Sequence, residues 1–235
     1  DNEGAVGPND YVQAVNGGGV RIFDKNGVPR GPAFKLSTLF APLGGVAAVN
    51  NNGDALVLYD RMANRWILSQ FAFTTSSAPP YHQTIAVSKT GDPTGEYWAY
   101  DFITPGNEFP DYGKIGSWPD GYYFTDRQFT DGVTYNGFGC FAFDRVKMLV
   151  GDPTATFIYF NAGPFGTLSL SRNGRIAHTH RVNPIYRILW LSTIYRTTES
   201  AIFCELRIAV CHDQAKNREF DDVSALIFKR PGHFV

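Results

Sequence analysis

Asp10, Asp54 and Asp111 each open a short apolar run: Tyr11-Val-Gln-Ala-Val15, Ala55-Leu-Val-Leu-Tyr59 and Tyr112-Gly-Lys-Ile-Gly-Ser-Trp118. A turn and a second run follow each of them, at Val20–Phe23, Trp66–Phe71 and Tyr122–Thr125. The starts lie roughly 45 to 57 residues apart, the period of a four-stranded propeller blade. Carboxylates at the start of equivalent strands would gather at one end of the sheets. There they could act as an acid/base pair on a glycosidic bond, with aromatic faces stacking on the sugar. They could also hold Ca²⁺ through oxygen ligands, or only cap strand-end backbone groups. Glu108 lies close to Asp111 in the chain, and the loops 76–82 and 130–138 add Tyr81, His82, Asp131 and Tyr135 as ligand-binding candidates.

The elements that must position these residues follow from the turn chemistry. Between Asp54 and Phe102, runs at Ala55–Tyr59, Arg65–Phe73, Thr84–Ser88 and Tyr97–Phe102 are separated by Asp60–Asn64, by a loop with Pro79-Pro80, and by Gly91-Asp-Pro-Thr-Gly95. Asp and Asn bond their own backbone in turns, Pro fixes φ, and Gly accepts positive φ. This stretch predicts one blade. Lys114–Trp118, Tyr122–Phe129 and Cys140–Asp144 repeat the order, and Val12–Val15 with Val20–Phe23 supply the two inner strands of an earlier blade. The fold class is therefore all-β, a β-propeller or partial propeller of four-stranded antiparallel blades, with a two-sheet β-sandwich as the alternative. In a propeller the loops entering the inner strands share one face, and the hairpins after them share the other. Asp10, Asp54 and Asp111 are expected on the first face, and Asp60, Asp92 and Asp120 on the second. Trp66, Trp98 and Trp118, each in a predicted strand, are expected to be largely buried.

Composition agrees with short strands and tight loops: 15% of residues are aromatic, with 24 Gly and 14 Pro. The net charge of −1 supplies no field for nucleic acid or an anionic membrane. Residues 1–165 hold 11 Lys and Arg against 16 Asp and Glu, while residues 166–235 hold 10 against 6. The basic residues of the second part are scattered, as on a solvated face. No apolar run reaches the roughly 18 residues of a membrane span. The first residue is Asp1 with no leader-like stretch, which predicts a mature or truncated segment of an exported, extracellular or periplasmic protein. Cys204 and Cys211 could pair, leaving Cys140 over, or all three could be thiols. His178-x-His180 would place two imidazoles on one strand face, but no third ligand lies nearby in sequence. Residues 1–165 thus read as propeller blades. The repeat fades over 166–235, a diverged β segment with runs at 185–195, 201–210 and 223–228 that forms the last blades or belongs to another fold.

Two resemblances attach to these residues. Val57–Phe71, Ile85-Ala-Val-Ser88, Gly91–Gly95, Phe109–Tyr123 and Phe141–Leu149 resemble an uncharacterised family of secreted bacterial β-propeller-like proteins, over about residues 10–166. More loosely, Ser88–Trp98, a Ser-x-x-x-Asp-Pro-Thr-Gly turn before an aromatic strand, is similar to five-bladed glycoside hydrolases. The first resemblance implies a secreted propeller without an assigned activity, and the second a carbohydrate-active one. The functional expectation is an exported binding or interaction module for carbohydrate or another extracellular polymer. The alternative is a glycoside hydrolase or lyase with an acidic site at the channel mouth.

Overall fold

The computed structural model describes residues 2–163 apart from Gly18, and the backbone of residues 186–197, 201–212 and 220–226. The chain divides into two compact units, Asp1–Gly174 and Arg175–Val235. The described residues of the first form three antiparallel sheets. Sheet one contains β1 (Asn2–Val6), β2 (Asp10–Val15) and β3 (Gly19–Asp24). Sheet two contains β4 (Gly53–Asp60), β5 (Arg65–Ala72), β6 (His82–Ser88) and β7 (Tyr97–Ile103), in chain order. Sheet three, also in chain order, contains β8 (Glu108–Trp118), β9 (Gly121–Thr130), β10 (Thr134–Phe143) and β11 (Phe157–Asn161). Both β1 and β8 lie against β4, so the first strand of each sheet is innermost and the chain steps outward from it. This is a partial β-propeller, with four-stranded antiparallel sheets as its best-formed blades.

Sheet two owes its apolar sequence to burial on both faces. Ala55, Val57, Tyr59, Trp66 and Leu68 pack toward sheet one, and Leu56, Leu58, Ile67, Ile85 and Val87 toward sheet three. Strands covered on both faces read as continuous apolar runs, whereas half-buried ones alternate. A 3-10 helix, Leu36–Leu43, and the short helix α1, Gly45–Val49, join sheets one and two and bury Leu36, Phe40 and Ala47 in the first core. In sheet three Tyr122, Phe124, Phe141 and Phe143 fill the second core, and helix α2 (Arg145–Leu149) adds Met148.

Sheet one differs from expectation. Its innermost strand is β1, which was not foreseen, so Val12–Val15 and Val20–Phe23 are its second and third strands. The fourth position is taken by the irregular segment 28–34, whose backbone bonds β3 at Val20, Ile22 and Asp24. The tryptophans also divide. Trp66 is fully buried, while Trp98 is half-buried with the Lys89 ammonium 3.9 Å from its ring centre. Trp118 is 41% exposed, because it sits where β8 turns over into β9.

In the second unit β12 (Tyr186–Thr197), β13 (Ala201–His212) and β14 (Phe220–Leu226) form an antiparallel sheet in chain order. Cys204 and Cys211 both lie in β13. The extended backbone between them spans about 20 Å, well past the roughly 7 Å that a disulfide tolerates. That geometry removes their pairing. His178 and His180 lie outside the described residues.

Candidate functional site

The inner strands β4 and β8 begin at the same end of the unit, here termed the opening face, and both are irregular there. The β4–β5 register shifts between Gly53 and Leu56, and the β8–β9 register between Asp111 and Lys114. Such bulges re-aim side chains at strand ends. Gly53 takes φ 106°, and a Cβ there would press on the Asn16 amide. Tyr112 takes φ 53°, a left-handed conformation that a bulky side chain adopts only when its surroundings enforce it.

The two bulges deliver Asp54 and Asp111, both half-buried. Asn16 fixes the first: its Nδ2 donates to Asp54 Oδ1 at 2.6 Å, while its Oδ1 accepts from the Ala55 N–H at 2.9 Å. The end of β2 is thereby tied to the start of β4. Asp111 stands opposite Arg127 across the β8–β9 ladder. Burial pushes its carboxyl above the ordinary range and the Asp54 charge adds to that, while Arg127 and the Tyr112 N–H pull the other way. Two carboxylates from neighbouring inner strands thus share one field. Around them, Tyr112 and Tyr135 are 37% and 41% exposed. The Lys114 ammonium lies 4.5 Å from the Tyr112 ring centre and 2.9 Å from Glu3, and the Arg127 guanidinium lies 5.7 Å from the Tyr135 ring centre.

The remaining sequence candidates are placed differently. Asp10 is not on the opening face. It opens the second strand of its sheet, and consecutive antiparallel strands start at opposite ends. It is buried and accepts from Arg30 Nη1 at 2.6 Å, and Arg30 also reaches Asp92 at 3.2 Å. Asp10, Asp24, Arg30, Asn64 and Asp92 line a cleft of about 450 Å³ among the hairpins of the opposite, hairpin face. Tyr81 is a core residue, 1% exposed, packed against Phe73 and Phe109 and donating to the Ser76 carbonyl. His82 is buried and 2.8 Å from Asp101 of the neighbouring strand β7. Asp131 forms the β9–β10 turn with φ 51°. Glu108 is buried beneath the opening face, bonded to Thr130 and Asn136.

Asn16, Tyr112 and Arg127 were missed. Asn16 carried only the signal of a polar residue ending a strand before Gly17. Arg127 was legible by alternation, since it leaves β9 opposite to the buried Asp126 and Gln128. Among the described residues no group of three or more His, Cys, Asp or Glu is arranged to hold a metal ion, and no helix is long and apolar enough to cross a membrane.

No protein-family model and no curated protein matches the chain. Among solved structures, the chain is similar to a GH43 endo-arabinanase from Bacillus licheniformis at 10% identity and a TM-score of 0.42, covering 92% of this chain and 73% of that one. It is also similar to a GH43 β-1,3-galactosidase at 12% identity and a TM-score of 0.40, covering 93% of this chain and 44% of that one.

Proposed function

We propose that the protein is an exported propeller module that binds carbohydrate on the opening face. The observation that carries this reading is the pair Asp54 and Asp111, half-buried on adjacent inner strands and close enough for one charge to act on the other. Carboxylates accept hydrogen bonds from sugar hydroxyls, and the exposed rings of Tyr112 and Tyr135 offer faces for sugar rings. Asn16 holds Asp54 in one orientation, as a preorganised site requires.

A second reading, glycoside hydrolysis, is favoured by one feature of the same pair. Asp111 is pushed toward its protonated form beside a second carboxylate, and such a pair can divide the roles of acid and base. A glycan array followed by calorimetry and reducing-sugar assays on the hits tests both. Binding without product, weakened on the order of tenfold or more in Asp54→Asn and Asp111→Asn and unchanged in Asp120→Asn, supports the module. Sugar release abolished by Asp111→Asn supports the hydrolase. No affinity for any glycan on the array removes both.

A further inference from the structure

Below the opening face, sheet three turns polar on its buried side. Phe124, Asp126, Gln128 and Thr130 leave β9 in the same direction, because strand side chains alternate. Asp126 is 1% exposed, Gln128 0% and Glu108 9%. Asn161, which donates to the Asn136 carbonyl, links the bonds of Glu108 and Gln128, and Asp126 is held separately by a backbone N–H. Glu108 Oε1 accepts from Thr130 Oγ1 at 2.9 Å and from Asn136 Nδ2 at 2.7 Å. Gln128 Oε1 accepts from Tyr159 Oη at 2.7 Å and Asn161 Nδ2 at 3.0 Å. Asp126 Oδ1 accepts from the Gly139 N–H at 2.9 Å. Three buried atoms are left over: Glu108 Oε2, Asp126 Oδ2 and Gln128 Nε2.

We propose that Glu108, Asp126 and Gln128 form an internal site for one water molecule and one proton, so that the two carboxylates together carry a single negative charge. With one carboxyl protonated, the leftover atoms are one acceptor oxygen, one O–H and one N–H. Water donates a hydrogen to the first and accepts from the other two through its lone pairs, which complements all three at once. A hard cation is served badly here. It would find two carboxylate oxygens and an N–H, and the Gln128 oxygen cannot be turned toward it without breaking the bonds from Tyr159 and Asn161.

The proton follows from the absence of any compensating charge. Among the described residues neither carboxylate has an ion-pair partner. The titratable groups facing Asp126 are Glu108 from β8 and Tyr159 from β11, and β10 contributes only the Gly139 N–H. Two buried anions without a cation ionise one at a time. Burial first, and the Glu108 charge after it, push Asp126 up to about 8, against the pull of Gly139 and Gln128. Gln128 Nε2 lies near enough to favour the anion but makes no well-formed hydrogen bond.

Infrared difference spectra of the intact chain between pH 5 and 9 test the proton, and a high-resolution crystal structure at pH 7 tests the water. The expected result is a protonated carboxyl band that titrates near pH 8 and is missing in Asp126→Asn. In Glu108→Gln it should titrate at lower pH. Crystallographic density should show one oxygen within hydrogen-bond distance of all three atoms. A spectrum without that band at pH 7, or a metal ion at the position, overturns the proposal. The wild-type spectrum decides even if a variant fails to fold.

Discussion

Asp60 and Asp126 are equally buried, and their surroundings are opposite in kind. Asp60 Oδ1 accepts from the backbone of Met62 and Ala63, and its Oδ2 from Tyr122 Oη at 3.0 Å and Arg145 Nε at 2.7 Å. Arg145 is carried there by α2, whose first turn is capped by Asp144. Burial works against the guanidinium charge, but Asp60 outweighs it and Arg145 is held above its ordinary value. Asp126 has one backbone donor, no cation and an unpartnered oxygen. Burial alone therefore does not set the state of a carboxylate. The partners that the chain brings to it do, and here they make one node an ion pair and leave the other to a proton.

The largest test of this contrast is truncation at each node. Asp60→Ala leaves the Arg145 charge buried and unpaired, and should destabilise the protein by about 3–5 kcal/mol in urea denaturation at pH 7. Asp126→Asn keeps the shape and removes only the ionisable group, so it should change stability by less than about 1 kcal/mol at pH 5, where Asp126 is protonated. The pH dependence then separates the two. A group whose folded value lies above its unfolded value supports folding at low pH, and that support is lost as pH rises. Between about pH 4 and 8 the wild type should lose stability that Asp126→Asn retains. Equal losses in both variants at pH 5 would erase the contrast.

A smaller effect distinguishes the tyrosines that complete each node. Tyr122 donates to the charged Asp60, and Tyr159 to the neutral Gln128 amide. Tyr122→Phe should cost about 1.5–3 kcal/mol and Tyr159→Phe about 1 kcal/mol, since bonds to charged groups are the stronger. Denaturation midpoints of the two variants, measured side by side, check the order. A reversed order would mean that Arg145 alone satisfies Asp60 Oδ2.

How much of this was legible in the chain depends on which faces are covered. Sheet two was read nearly strand for strand, because burial on both sides writes Ala55–Tyr59 as an uninterrupted apolar run and its turns carry Asp, Asn, Pro and Gly. Sheet one was read one strand out of phase. Its inner strand, Asn2-Glu-Gly-Ala-Val6, buries only Ala5 and has no apolar pattern to show. That missing strand moved Asp10 to the wrong face, while Asp54 and Asp111 came together on the opening face. The Asp126 node was within reach of alternation: stepping in twos from Phe124 along β9 leads inward to Asp126 and Gln128. Which partners meet those residues depends on how β8, β10 and β11 register against β9, and no local pattern encodes that.

The smallest expected effect lies on the acid side and has the opposite sign from Asp126. The Thr94 N–H and hydroxyl both bond Asp92 Oδ1, at 2.9 and 2.7 Å, and with Arg30 they hold the carboxyl below its ordinary range. A carboxylate lowered on folding contributes stability above its unfolded value and loses it as pH falls through the folded one. The window is therefore below about pH 4, and the loss should be slight because the side chain is 47% exposed and screened by solvent. Asp92→Asn keeps an oxygen for Thr94 but cannot titrate. Its urea midpoint should fall less steeply than that of the wild type between pH 5 and 2.5, and should match the wild-type slope above pH 5. An unchanged acid slope would show that the turn is held by Thr94 geometry without any charge. Among the described residues, Asp10 would then be the carboxylate that holds Arg30 at the hairpin-face cleft.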